Sequence, residues 1–409
     1  MAGKAQHKYP PHDKLVDLIV EAGGIAQASR RLNISDPGLR HHLNRNGLVD
    51  KVRERLQKTV TVEDGEPRVS EVEMLRQRNR ELEQAVKAQR AEIVFDERVM
   101  TRLEESIPKR APRYKPAAIR KAGMDQHEVV LLFSDTHAGE VVSSGETLGM
   151  NEYSWPVMLR RMARLQASVL SYVQHRPYPI NKLHVWFLGD MLSGEIHDEL
   201  AQTNELCGAE ATVQFALDAA AWLEEFTPHF AEIAVTGVPG NHPRRTQKPA
   251  AKRAHNNDDW LAYKMVELQL RDHPGFSFDF PIGAFATTTV ADRWRCLLMH
   301  GDGIRSTMPG VPWGGVVRRI TTLEQQFNKA KQPIDVVALG HFHTANALDG
   351  VGVKTFLNGS VKGLDEYSLK QFGSGRAPSQ LLLTFHPRRG ITDVSYLDLE
   401  DTQPAAVAA

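Results

Sequence analysis

The sequence predicts a layered α/β sandwich of mixed sheets flanked by helices, preceded by a small all-α module and a coiled coil. Three observations predict it. From Glu128 onward, short apolar runs such as residues 129–133 alternate with helical periods such as Met158, Met162, Leu165 and Val169, the pattern of strands packed against helices. From Val72 an apolar heptad begins. Before Gly47, three short helical segments are punctuated by Gly23-Gly24 and Asn33.

At 409 residues the chain exceeds the usual single domain, so several folding units are expected. The first is a helical unit over residues 1–60. Residues 14–22 place Leu15, Leu18 and Ile19 at helical spacing, and Gly23-Gly24 stops them. A second helix is expected over 25–32. Asn33 then supplies a turn residue tolerant of positive φ, and Ser35 is placed to cap a third helix running to about Arg45, where Gly47 ends it. Pro37 fits an early helical position. The third helix turns Leu39 and Leu43 inward and exposes Arg40, His41, Asn44 and Arg45, residue types that reach base edges and phosphates in a major groove. The series Ser29, Asn33 and LRHHLNRNG resembles the bacterial helix-turn-helix type at the C-terminus of the factor for inversion stimulation. That resemblance implies DNA binding; three short helices with basic faces also fit a protein-docking bundle.

Residues 50–70, polar and containing EDGEP, read as a linker. A coiled coil is expected over 70–104. Val72, Asn79, Val86, Ile93 and Met100 take one core position, and Leu75, Leu82, Gln89, Asp96 and Leu103 the other. Seven of these ten are apolar, which favours a coil over a solvated single helix, and a core Asn79 suits a parallel homodimer. Gln89 and Asp96 weaken the second half. Residues 105–127, basic and Pro-rich, form a linker.

The α/β domain is expected over 128–397, with further helices over 210–226 and 258–271, a hairpin over 285–299 and strands without helices over 352–398. Residues 398–409 are expected to be a disordered tail. Five of the apolar runs end in groups that bind metals: SDTH with Asp135 and His137, GD with Asp190, GNH with Asn241 and His242, HGD with His300, and GHFH with His341 and His343. One such ending is usually a plain turn, but five point to a site built at strand ends. Two divalent ions sharing a carboxylate activate water for in-line attack on phosphorus and neutralise charge on the phosphoryl oxygens. Mixed nitrogen and oxygen donors suit manganese, iron or zinc better than magnesium or calcium.

The order DxH, GD, GNH, H, GHxH resembles the calcineurin-like metallophosphoesterase superfamily, over roughly residues 128–397. The resemblance implies a layered metallophosphoesterase sandwich holding two divalent metal ions, with manganese expected first and iron or zinc as alternatives. It places Asp135, His137 and His343 on one ion and Asn241, His300 and His341 on the other, with Asp190 bridging and His242 as the acid that assists the departing oxygen. One departure is visible. The family usually follows GNH with an acid, whereas here Pro243, Arg244 and Arg245 follow, leaving His242 without that partner. The two arginines either grip a phosphate diester or form a solvated turn. Asp302, His197, Asp198 and Glu199 are not read as ligands. His184, His229, His273 and His386 read as structural, and the Gly-Ser-Lys-rich stretch 358–376 as a loop that orders on substrate or a plain surface loop.

Composition narrows the function classes. The net charge is zero, but residues 1–127 hold 25 Lys and Arg against 19 Asp and Glu, and the rest 25 against 31, so the basic excess lies where a polyanion would dock. Cys207 and Cys296 have no paired spacing, which gives no disulfide framework or thiolate zinc site. No apolar run approaches the roughly 20 residues of a membrane span, and the start lacks a secretory core, so a cytoplasmic location is expected. The leading expectation is a metal-dependent phosphodiesterase, a nuclease, hydrolysing DNA. The alternatives are a phosphatase or nucleotide phosphodiesterase with an N-terminal dimerisation module, and a DNA-bound scaffold without activity.

Overall fold

The computed structural model describes residues 9–59, 77–78, 125–206, 208–246, 248–249, 252–304, 310–349, 352–373 and 375–400. Apart from Gln77 and Arg78, the expected coiled coil lies outside the described residues, as do nearly all of the basic linker and residues 401–409. The chain divides into two units, residues 1–95 and 96–409.

Among the described residues, the first unit contains the helices α1 (His12–Glu21), α2 (Ile25–Arg31), α3 (Asp36–Arg45) and α4 (Val49–Thr59). Leu15, Val16, Ile19, Ala28, Leu39, Leu43, Leu48 and Val52 form its core. Asn33 has φ 52° at the turn between α2 and α3, as its residue type suggested. Ser35 takes the N-cap position of α3, but its side chain makes no cap bond. Instead the Tyr9 hydroxyl donates to the Gly38 carbonyl at 3.2 Å, and the Tyr9 ring stacks on His42. The expected linker over 50–70 begins too early. Residues 49–59 are helical because Val49, Val52 and Leu56 recur every three to four residues and pack on the core.

In the second unit the elements run β1 (His127–Phe133), α5 (Trp155–Gln174), β2 (Ile180–Phe187), α6 (Leu200–Thr203), α7 (Gly208–Glu224), β3 (Glu232–Gly237), α8 (Asp258–Leu270), β4 (Phe276–Asp279), β5 (Phe285–Val290), β6 (Trp294–Met299), α9 (Trp313–Lys329), β7 (Val336–Leu339), β8 (Asn346–Leu348), β9 (Lys354–Leu357), α10 (Glu366–Phe372), β10 (Ser379–His386) and β11 (Gly390–Asp398). One sheet has the order β11-β10-β1-β2-β3-β4 and the other β5-β6-β7-β9-β8. Both are mixed: β1, β2, β3 and β4 are parallel, as are β6, β7 and β9, whereas β10, β11, β5 and β8 join antiparallel.

Strand alternation sets the layers. Val129, Leu131 and Phe133 face α5, α7 and α8, while Val130 and Leu132, with Trp186, face Cys296, Leu298, Val336 and Ala338 of the other sheet. The far side of that second sheet, Leu297, Met299, Val337 and Leu339, covers Val316 and Ile320 of α9. Each such side chain contributes roughly 1.5–3 kcal/mol when fully buried. The hairpin over 285–299 forms as expected. The expectation of no helix over 352–398 fails at α10, which Asp365 caps by accepting from the Ser368 N–H at 2.7 Å and Gly373 ends at φ 63°. Among the described residues, no helix is long and apolar enough to cross a membrane.

Candidate metal centre

Parallel neighbours end on the same sheet edge, so β1, β2 and β3 deliver their following loops together, and β6 and β7 do the same in the second sheet. Backbone bonds carry the order past the strands. Asp135 N–H donates to the Gly189 carbonyl and His137 N–H to the Asp190 carbonyl, each at 3.0 Å. The result gathers Asp135, His137 and His343 in one set of donors, and Asp190, His300 and His341 in another, with Asp190 and His242 also within reach of His137. Asn241 Oδ1 completes the second set at 3.0 Å from His300 Nε2. All seven expected ligands are therefore together, and they are buried or half-buried.

The backbone is strained where the ligands stand. Asp135, His137, Asp190, His341 and His343 all have φ between 46° and 69°, the left-handed region that costs a non-glycine residue roughly 1–2 kcal/mol. Hydrogen bonds hold them there: Asp135 Oδ1 accepts from His341 N–H at 3.0 Å, and Asp190 Oδ1 from His242 N–H at 2.7 Å. Close approach adds a demand for glycine. A Cβ on Gly240 would lie 2.1 Å from Asp190 N, and one on Gly340 2.7 Å from Asp135 Oδ2.

The donor set fits divalent metal ions. Adjacent donors stand 2.9–3.3 Å apart: His300 Nε2 to Asp190 Oδ2 at 2.9 Å, His137 Nε2 to His343 Nε2 at 3.1 Å, and His343 Nε2 to Asp135 Oδ1 at 3.3 Å. Ligands bound at ~2.1 Å to a common ion are separated by about 3 Å, so these spacings suit shared coordination. His300 Nδ1 meets the Leu188 carbonyl at 2.7 Å, which turns Nε2 inward. Burial lowers the pKa of His137 and His242, and burial together with the charge of His300 takes His341 down to about 4, so these imidazoles keep free lone pairs. Burial opposes charge on His300 as well, but Asp190 outweighs it and raises His300 to about 10; reciprocally, His300 holds Asp190 well below the usual carboxylate range despite its burial.

His242 is not left unoriented by the loss of an acid after GNH. Its Nδ1 stands 3.0 Å from the Ser193 carbonyl, and its ring is edge-on to His137 with centroids 4.5 Å apart. The two following arginines are committed within the protein: Arg244 donates to the carbonyls of Asn241 at 2.8 Å and Thr246 at 3.1 Å, and Arg245 Nε to Asp258 at 2.7 Å. Arg244 thus braces the Asn241 loop. Asp302, His197, Asp198 and Glu199 are exposed, and none joins a candidate metal group among the described residues. In the first unit, Arg40, His41, Asn44 and Arg45 are exposed along α3, and Arg40 Nε bonds Asp36 at 3.1 Å.

Sequence reading missed Asp259. This buried carboxylate accepts from Met191 and Leu192 N–H at 3.0 and 3.2 Å and from Gly240 N–H at 2.9 Å, tying the Asp190 loop to the Asn241 loop. Burial and the Asp190 carboxylate push its pKa up to about 8, against three N–H donors that favour the ionised form. The available signal was an acid on an otherwise apolar helix face, with Ala262, Tyr263 and Val266 following at helical spacing. Asp259→Asn turns a donor toward at least one of these N–H groups, which costs about 1–3 kcal/mol. A lower urea midpoint with weaker metal binding is the expected outcome, and an unchanged midpoint would contradict it.

The class these observations define is a two-sheet α/β domain with a candidate dinuclear metal centre at the strand ends. No family model matches the sequence, and no curated protein does. Among solved structures, a predicted phosphoesterase of Streptococcus pneumoniae TIGR4 aligns at 10% identity over 68% of this chain and 94% of its own, with TM-score 0.29. Vps29 of Entamoeba histolytica, complexed with zinc, aligns at 13% identity over 66% and 99%, with TM-score 0.28. An archaeal phosphodiesterase aligns at 11% over 66% and 99%, with TM-score 0.30. At such TM-scores the likeness carries no weight, and the site stands on its own residues.

Proposed function

We propose that the second unit is a dinuclear metallophosphoesterase, of the calcineurin-like kind, that hydrolyses phosphodiester bonds of DNA, and that the first unit is a helix-turn-helix module that delivers the polymer. The observation that carries the reading is the convergence of seven ligands from five strand ends, five of them in left-handed backbone. Asp135, His137 and His343 would hold one ion and Asn241, His300 and His341 the other, with Asp190 between them. Bound there, the ions supply Lewis acidity to the phosphoryl group and an activated water. His242 stands beside this set with its Nδ1–H donated to the Ser193 carbonyl, so Nε2 is the atom that would take up a proton and pass it to the departing oxygen. Asp259 and Arg244 keep the two ligand loops in register while charge moves.

Support for DNA as the substrate comes from the exposed face of α3 and the basic excess of residues 1–127. The heptad over 70–104 would pair two such modules in a homodimer. Manganese-loaded protein is expected to cleave single-stranded, duplex or nicked DNA. Turnover of para-nitrophenyl phosphate without any DNA cleavage would move the reading to a phosphatase, and no turnover of either to a scaffold. Arg40→Ala with Arg45→Ala is expected to weaken a duplex mobility shift and flatten its salt dependence. An unchanged shift at low and moderate salt would leave α3 as a protein-docking face.

A further inference from the structure

One buried ionic cluster near the centre has no role in the chemistry above. Lys362, 3% exposed, donates to Glu140 Oε1 at 2.9 Å and pairs closely with Asp365, which also caps α10. Burial opposes the Lys362 charge, but Glu140 and Asp365 outweigh it and raise its pKa, so the lysine is an ammonium at every working pH. The stretch around it is no surface loop. Asn358, Ser360 and Lys362 are buried, Ser360 Oγ donates to the Asp135 carbonyl at 2.8 Å, and the Arg161 guanidinium donates to the Lys362 carbonyl at 2.6 Å.

The other oxygen of Glu140 is the informative one. Glu140 Oε2 is buried and has no hydrogen-bond partner, and the same is true of His137 Nδ1. These two unpartnered atoms face each other at 3.6 Å, just beyond hydrogen-bond reach. His137 is 1% exposed, and its Nε2 is the atom that points at His343 and the first metal position. A buried donor and a buried acceptor that stand a few tenths of an ångström beyond hydrogen-bond distance are expected to close when the ring is pulled into place.

We propose that Glu140 is the positioning residue of the first metal site: it takes the Nδ1–H of His137, fixes the tautomer that leaves the Nε2 lone pair free, and is itself clamped by Lys362. This deepens the metallophosphoesterase reading and rests on it. Lys362 makes the orientation one-way, because an ammonium can only donate and therefore claims an acceptor atom from residue 140. Glutamate has two acceptor oxygens and satisfies both neighbours. Glutamine has one. In Glu140→Gln the amide oxygen goes to Lys362 and the amide N–H₂ is forced onto His137 Nδ1, which must then accept, placing the proton on Nε2 where a metal should bind.

Calorimetric titration with manganese tests this on the full chain. Wild type is expected to bind two ions, and Glu140→Gln to bind one of them about 10- to 100-fold more weakly with the other unchanged. Adding Lys362→Met releases the amide to turn over, so the double variant is expected to regain affinity at the weakened site. A purely structural role would make the double variant no better than the single one. Thermal melts confirm that each variant is folded, and Glu140→Asp, which keeps a carboxylate for Lys362 but is one methylene too short for His137, serves if the double variant melts early; it too is expected to weaken one ion. Two ions bound by Glu140→Gln with wild-type affinity would overturn the positioning role alone. A wild type that binds no manganese would instead overturn the metal-centre reading beneath it.

Discussion

On the proposed function, Asp190→Asn is expected to lower DNA cleavage by roughly 10³-fold or more, since the metals it would release are worth several kcal/mol of transition-state stabilisation. Two effects of the substitution act together. The shared negative charge disappears from between the two donor sets, and an amide N–H₂ replaces the oxygen that lies 2.9 Å from His300 Nε2. His300 Nδ1 is already directed at the Leu188 carbonyl, so the amide occupies the lone pair that a metal needs. The contact from His242 N–H to Oδ1 survives, and the fold should survive with it. Metal content is expected to fall to one ion per chain or fewer, with a melting temperature close to wild type. Retention of two ions and of activity would remove Asp190 from the bridging position.

His242→Ala is expected to separate chemistry from metal retention. Asn241 beside it is the proposed donor, so the variant should keep its metals while DNA cleavage falls about 10²- to 10⁴-fold, the usual worth of a general acid. The leaving alkoxide of DNA is basic and needs a proton, whereas para-nitrophenolate departs without one. The loss on bis-para-nitrophenyl phosphate is therefore expected to be much smaller. Equal losses on both substrates would mean that His242 positions the phosphate or stabilises charge. Loss of metal in the variant would make its role structural.

The candidate centre was legible in the sequence because its candidate ligands follow apolar runs, and Gly240 and Gly340 stand beside them where a side chain would collide with Asp190 or Asp135. Parallel pairing then brings the ends together without further information. What surrounds the ligands was less legible. Asp259 acts on Met191 across 68 residues, and only its place on an apolar helix face hints at burial. The stretch 358–365 has the composition of an exposed loop, yet it is buried because Ser360 and Asn358 satisfy the end of β1 and Lys362 finds acids at 140 and 365. No local pattern announces a lysine whose partners are that far apart in the chain. Helix α4 escaped notice because Val49, Val52 and Leu56 are spread among charged residues, and α10 because it is a short helix marked only by Asp365 and Gly373 at its ends.

If seven side chains at five strand ends make two metal positions sharing Asp190, the chain must hold two ions. Metal content of the purified chain after manganese loading and removal of free ion tests it most directly. Two manganese ions per chain are predicted, falling to one or fewer in Asp190→Asn. A wild-type content near zero would mean that these seven side chains form no metal centre.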